Sequence, residues 1–326
     1  MRAYPQVIPA RLNESNPLHS LDYDDYYFSL KDPIAERQTV VIDGLDLEKR
    51  FKKLSGWACF RIGETGFGAG LSFLLAVQCF LNHAPSNARL QWVSSELHPL
   101  TRADLERLHR ALNLPRAMRQ LAERLLIDWP APVAGAHRRL FANGRVVLDL
   151  HFNDATAVFS NLTGTLDAWC LDGFSPDCNG ALWSPELFQA IAEHSEHLAP
   201  ISTYTAASKV RTGLTQVGFH MDKHVGFGGK RERLTGVFQG QPRAQPFAPS
   251  RRSYDGQEVA IIGGGLSGAW VAHGLARRGV TVRVFEREMP ASGASGNPQG
   301  VTYAKLSIEA TPASQIQLQA LTHLAY

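Results

Sequence analysis

The sequence predicts an α/β protein with a doubly wound, mainly parallel sheet, followed by a shorter unit of the same kind. Three observations carry this. Apolar runs of strand length alternate with longer runs of helical character over the first 240 residues or so. Two glycine-rich loops, Gly63–Gly70 and Ile261–Ala269, each follow an apolar run and open a helix. Between them, Gln239–Gln257 (QGQPRAQPFAPSRRSYDGQ) is rich in proline and arginine with little to bury, which marks a linker. The expected organisation is a first domain over residues 1–240, a linker over 241–256 and a partial βαβ unit over 257–326.

The elements follow in order. Trp57–Ile62 reads as a strand, the first glycine loop comes next, and Leu71–Leu81 as a buried helix. Leu90–Ser94 is a second strand and Thr101–Leu112 a polar helix. Asn143-Gly144 lies between HRRLF and RVVLDLHF, and supplies the positive φ values of a type I′ hairpin turn. Ala168–Leu171 is a further strand and Pro185–His197 a helix. Beyond the linker, Glu258–Ile262 and Thr281–Phe285 flank a helix over Ser267–Arg278, a compact parallel unit.

Composition narrows the class. An apolar fraction of 44% with 19% charged residues describes a globular chain with a real core. The net charge of +3 does not demand a polyanionic partner. Its distribution is more informative, because Lys209, Arg211, Lys223, Lys230, Arg231 and Arg233 face only Asp222 and Glu232 over one segment. Such a patch steers a phosphate backbone, or is simply a solvated face. Cys59, Cys79, Cys170 and Cys178 are scattered without CxxC or His/Cys spacing, so no metal site is expected. Leu71–Leu81 is too short to span a bilayer, and the N-terminus lacks the apolar stretch of a signal peptide. A cytoplasmic, non-membrane protein is the expectation.

In GETGFGAG, Gly66, Gly68 and Gly70 alternate between a strand and a helix. Side chains there would keep a flat ligand off the backbone. The loop matches neither GxGxxG nor the GK[ST] of a phosphate loop, which favours a nucleoside without pyrophosphate, such as S-adenosylmethionine. Two acids follow at successive strand ends. Glu96 is placed to accept both ribose hydroxyls, and Asp154 to accept from an adenine amino group. Taken singly, each is more often a helix cap or a surface charge. LDGFSP places Asp172 at the carboxyl end of a fourth strand, where a carboxylate can hold an amine or take its proton. Phe174 and Trp183 are candidates for stacking on a base, or for the core.

These segments resemble a known family. DYYFS (Asp25–Ser29), GETGFGAGLSFL (Gly63–Leu74), LHPLTRADL (Leu97–Leu105), LDGFSP (Leu171–Pro176) and GFGGKRE (Gly226–Glu232) are similar to the bifunctional bacterial tRNA 5-methylaminomethyl-2-thiouridine biosynthesis proteins. IIGGGLSGA (Ile261–Ala269) and GASGNPQG (Gly293–Gly300) resemble the start of their second domain. The resemblance implies a Rossmann-like class I methyltransferase domain followed by the opening of an FAD-dependent oxidase. It implies methylation of the primary amine of 5-aminomethyl-2-thiouridine at the tRNA wobble position, after an oxidase has cleaved the carboxymethyl group. Carried over by residue, Tyr27, Glu64, Gly66, Gly68, Gly70, Ser72, Glu96 and Asp154 line the methyl donor, with Asp172 between donor and amine. Lys209, Arg211, Lys230 and Arg231 are the expected tRNA contacts. Ala69 and Ser72 stand where the family carries threonine and asparagine. Cys178, Gly180 and Ala181 replace a lysine, a proline and an aspartate beside the acceptor.

The second loop matches GxGxxG at Gly263, Gly265 and Gly268, with Glu286 closing the next strand. That is a dinucleotide fingerprint in its proper context, and the resemblance selects FAD over NAD. Residues 257–326 supply only two strands, so this unit is expected to be incomplete and not to retain flavin. Two other readings compete. One is a flavin- or nicotinamide-dependent oxidoreductase with an N-terminal substrate module, betrayed by bound flavin. The other is a non-catalytic tRNA-binding protein, betrayed by RNA affinity without methyl transfer.

Overall fold

The computed structural model describes residues 6–228, 232–243, 256–305, 307 and 309–324. A two-residue hairpin, β1 (His19–Ser20) and β2 (Asp25–Tyr26), opens the chain, and α1 (Pro33–Arg37) runs into a π-helical turn over Gln38–Asp43 before α2 (Leu47–Lys52). There follow β3 (Cys59–Glu64), α3 (Leu71–His83), β4 (Arg89–Ser95), α4 (Arg102–Ala111), α5 (Arg116–Ile127), β5 (Gly135–Phe141) and β6 (Val146–Phe152). The first unit continues with α6 (Ala155–Ser160), β7 (Ala168–Leu171), α7 (Pro185–Glu193), β8 (Pro200–Thr203), α8 (Ser208–Gln216), β9 (Phe219–Val225) and β10 (Glu232–Phe238).

One eight-stranded sheet has the order β5-β6-β4-β3-β7-β8-β10-β9. The five central strands are parallel, while β5 and β10 run antiparallel to their neighbours. From β3 the chain first winds outward through β4 to β6, then returns to place β7 on the other side. The order reverses between β3 and β7, and an open α/β sheet has its ligand crevice at the strand ends there. Helices cover both faces, so β7 and β8 are buried along their whole length. Phe73, Phe80, Ile62, Trp92 and Leu148 are almost fully enclosed, each contributing about 1.5–3 kcal/mol relative to exposure. α3 is buried nearly all round, which explains its unbroken apolar sequence. The Thr101 hydroxyl caps α4 by accepting from the Asp104 N–H at 3.1 Å.

The expected elements are present, with ends shifted by a few residues. The hairpin differs in its turn. Ala142, Asn143 and Gly144 take φ of 49°, 54° and 81°, so a longer left-handed loop joins β5 to β6 in place of a two-residue type I′ turn. The linker is largely outside the described residues, since 244–255 are not among them.

The second unit pairs β11 (Glu258–Ile262) with β12 (Thr281–Phe285) in parallel around α9 (Leu266–Ala276), and ends on α10 (Pro312–Leu324). Among its described residues only Val280, Ala310 and Ser314 are buried. Ile262 is 84% exposed, and Trp270 and Phe285 lie open as well. Among the described residues no helix is long and apolar enough to cross a membrane.

Candidate active site

Two loops leave the sheet side by side, one after β3 and one after β7. They are tied together by Thr65, whose hydroxyl donates to the Asp172 carbonyl at 2.7 Å and accepts from the Asp172 N–H at 3.0 Å. Gly66 is needed for that approach, because a Cβ there would sit 3.0 Å from the Asp172 carbonyl oxygen. Gly68, at φ +52°, lies under the Tyr27 ring. Its N–H donates to Glu96 Oε2 at 2.8 Å, while the His98 N–H donates to Oε1 at 2.9 Å. Burial pushes the Glu96 carboxyl above its ordinary range, against the pull of these two backbone donors.

Between the loops lies a cavity. Its walls bring together Tyr27, Gly66, Gly68, Glu96, Asp154 and Asp172, six of the residues singled out in the sequence. Asp154 also caps α6, accepting from the Ala157 N–H at 3.0 Å, so the structural and site readings of this residue coexist. Burial pushes the Tyr27 phenol well above its ordinary range, with Glu96 adding to the effect, so this ring faces the cavity uncharged.

Three expected residues stand behind the wall. Gly70, at φ +74°, begins α3 and packs on Phe67 and Leu125. Ser72 is buried, and its hydroxyl donates to Asp172 Oδ2 at 3.3 Å. Glu64 is fully enclosed, and its Oε2 accepts from Trp92 Nε1 at 2.9 Å and Ser94 Oγ at 2.8 Å. Burial, reinforced by Asp172, pushes Glu64 up to about 8, so it carries a proton for much of the time at neutral pH. Of the two aromatic candidates, Phe174 lines the cavity but stacks on Tyr23 at 4.5 Å, with Tyr27 edge-on at 4.9 Å. Trp183 is buried, and its indole N–H donates to the Phe174 carbonyl at 2.9 Å. It is therefore core.

Sequence reasoning missed Arg37. Its guanidinium is buried, with Nη1 2.6 Å from Asp172 Oδ2, and lies over the rings of Phe28 and Tyr204 at 5.6 and 5.8 Å. The signal was faint: one charged pair, Glu36-Arg37, just ahead of the apolar run VVI. Lys209 and Arg211 are exposed on α8, and Lys209 Nζ donates to the Pro176 carbonyl at 2.7 Å, beside the loop after β7. Lys230 and Arg231 lie outside the described residues.

In the second unit Gly263 has φ +99° and Gly268 packs so tightly on the Gly263 carbonyl that no side chain fits. The Gly264 N–H donates to Glu286 Oε2 at 2.6 Å, and backbone donors of this kind hold the carboxyl below its ordinary range. The glycine loop is thus ordered around its acid as a dinucleotide fingerprint requires.

Residues 116–239 match a family model described as S-adenosyl-L-methionine-dependent methyltransferase, and residues 258–325 one described as FAD dependent oxidoreductase. The tRNA 5-methylaminomethyl-2-thiouridine biosynthesis bifunctional protein of Chromohalobacter salexigens is 46% identical over 306 residues, covering 92% of this chain and 43% of that protein. Its counterpart from Pseudomonas syringae pv. syringae is 42% identical over 317 residues, covering 94% and 47%. Among solved structures, MnmC2 from Aquifex aeolicus superposes with a TM-score of 0.56 at 19% identity, covering 74% of this chain and 73% of that one, which establishes the fold. The chain spans less than half the length of the two relatives. On this identity, sustained over almost all of its residues, it belongs to the family of tRNA 5-methylaminomethyl-2-thiouridine biosynthesis bifunctional proteins.

Proposed function

We propose that residues 1–240 are a methyltransferase domain that uses S-adenosylmethionine to methylate the primary amine of 5-aminomethyl-2-thiouridine at the tRNA wobble position. Residues 241–256 are read as a linker, and 257–326 as part of an FAD-dependent oxidase domain. The observation that carries the reading is one cavity whose wall holds Glu96, Asp154 and Asp172 at three successive strand ends around a glycine loop. The relatives' name supplies the nucleoside and the matched family models supply methyl transfer and FAD.

When bound, the donor supplies an electrophilic methyl group on a sulfonium. Glu96 has lone pairs beyond those taken by Gly68 and His98, and these accept the ribose hydroxyls. Asp154, at the start of α6, accepts from the adenine amino group. Tyr27 covers Gly68 at the cavity wall, beside the donor's place. Asp172 Oδ1 accepts from the Gly173 N–H at 2.8 Å and keeps a lone pair for an N–H of the incoming amine, holding it in line with the methyl. Lys209 and Arg211, with Lys230 and Arg231, meet the tRNA backbone. A protein doing this works in the cytoplasm, where tRNA is modified.

The test is incubation with labelled S-adenosylmethionine and tRNA from a methylation-deficient strain, followed by nucleoside mass spectrometry. Label in the methylaminomethyl nucleoside is expected, with none added to tRNA bearing the carboxymethylaminomethyl form. Tight tRNA binding with no transfer would favour the non-catalytic reading instead.

A further inference from the structure

We infer that Arg37 is a positioning residue for methyl transfer: it acts through Asp172, fixing that carboxylate with one oxygen turned to the acceptor amine. This rests on the reading of the cavity as a methyltransferase site.

The two oxygens of Asp172 are treated differently. Oδ2 faces inward, 2.6 Å from Arg37 Nη1 and 3.3 Å from the Ser72 hydroxyl. Oδ1 accepts only the Gly173 N–H among the described residues, and Asp172 lines the cavity wall. The Arg37 contact is an ion pair without the alignment of a hydrogen bond, so its effect is chiefly one of charge. Both partners are almost enclosed, with side chains 4% and 12% exposed, where such a charge is weakly screened.

Arg37 is itself held in place. It ends α1 where the chain widens into the π-helical turn Gln38–Asp43, a departure from regular helix that recurs at functional sites. That turn is pinned to β8 by the Ser202 hydroxyl, which donates to the Val40 carbonyl at 2.6 Å. The guanidinium lies over the rings of both Phe28 and Tyr204. The surrounding ionisable groups are Glu36 on α1, Glu64 on β3, Cys170 on β7 and Tyr204 after β8. Burial is the largest single effect and opposes the Arg37 charge, but Asp172, Glu36, Cys170 and Tyr204 together outweigh it and push the guanidinium above its ordinary range.

The chemical consequence concerns the proton. An alkylammonium has no lone pair, so the nitrogen must lose one proton before it can attack. The N–C bond then forms as the S–C bond breaks, and the product keeps its positive charge as the methylated ammonium. Arg37 and the Ser72 hydroxyl occupy Asp172 Oδ2, and the Gly173 N–H takes one lone pair of Oδ1, which leaves the other to face the nitrogen. Asp172 therefore orients the nitrogen by accepting a hydrogen bond, and the proton leaves to water.

A double-mutant cycle on single-turnover methyl transfer tests this, using tRNA bearing the primary amine. Arg37→Gln alone is expected to lower the rate constant about 100-fold, within the range for orienting groups, with donor affinity within threefold of wild type. Arg37→Lys, which keeps the charge, should recover at least tenfold of that loss. In an Asp172→Asn background, Arg37→Gln should cost less than threefold, because the residue it acts through is already gone. Arg37→Gln strands a buried carboxylate and can fail to fold; the cycle is then closed with Arg37→Lys in both backgrounds. Losses that multiply independently of Asp172, or an unchanged rate in Arg37→Gln, overturn the inference while leaving the methyltransferase reading intact. Wild-type protein that binds donor but transfers no methyl removes that reading, and this inference with it.

Discussion

The two glycine loops share one local device and differ in everything around it. In each, the acid that ends the next strand accepts a backbone N–H of the loop: Glu96 from Gly68 at 2.8 Å, Glu286 from Gly264 at 2.6 Å. Around the first loop stand eight strands, helices on both faces and a cavity wall that buries Glu96 until its carboxyl is pushed up. Around the second stand two strands and helices with almost no buried side chains among the described residues, and Glu286 is pulled down chiefly by backbone donors, with the Arg287 charge adding a little. The lesson is that strand, glycine turn and acid are set by short-range sequence. Whether they enclose a ligand depends on the neighbours that cover the sheet.

The sharpest way to break this contrast is at the reacting end of the first loop's cavity. Asp172→Asn is expected to lower methyl transfer by about 10²–10⁴-fold with donor affinity preserved, measured by single turnover beside calorimetry. Near-normal rates with saturating tRNA would place the chemistry elsewhere. Next come the paired acids. Glu96→Ala removes charge-assisted hydrogen bonds worth about 1.5–3 kcal/mol, so donor affinity should fall about 10- to 100-fold. Glu286→Ala should leave donor affinity unchanged, and a shared loss would mean that the two loops are not independent.

Glu64 allows the burial around the first loop to be read from stability. Its folded value of about 8 lies above the ordinary 4.5, so its stabilising contribution is intact below about 4.5 and is lost as pH rises through 8. Glu64→Gln cannot ionise. Urea unfolding should therefore show the variant gaining on wild type between pH 5 and pH 9, by on the order of a few kcal/mol. A difference independent of pH would mean that Glu64 is solvated. The smallest effect is expected in the second unit. Brief proteolysis should cut within residues 257–326 first, and the melting temperature of the remaining protein should stay within about 2 °C of the uncut chain, since only Val280, Ala310 and Ser314 are buried there among the described residues.

Much of this was legible before any coordinates. Strand-length apolar runs separated by helical ones gave β3, β4, β7, β11 and β12 within two residues, because periodicity and glycine turns are local signals. Glu96, Asp154 and Asp172 could be placed because residues at successive parallel strand ends converge whatever lies between them. Arg37 could not. It reaches Asp172 from α1 across more than a hundred residues of sequence, and no spacing rule connects them. The π-helical turn that aims it has no sequence signature, and the edge strand β9 and its neighbour β10 escaped because their exposed faces are polar and charged. In the sequence Trp183 reads as stacking or as core with equal right, since composition does not tell which way an indole points. Burial decided it.

The central claim is that the first glycine loop belongs to a working ligand site and the second does not on its own. Both ligands can be titrated into one preparation of the 326-residue chain, with calorimetry for S-adenosylmethionine and visible absorbance for FAD. The account predicts one S-adenosylmethionine per chain, weakened in Glu96→Ala, and no stoichiometric flavin. One tightly held FAD per chain, with no S-adenosylmethionine binding that Glu96 controls, would contradict it.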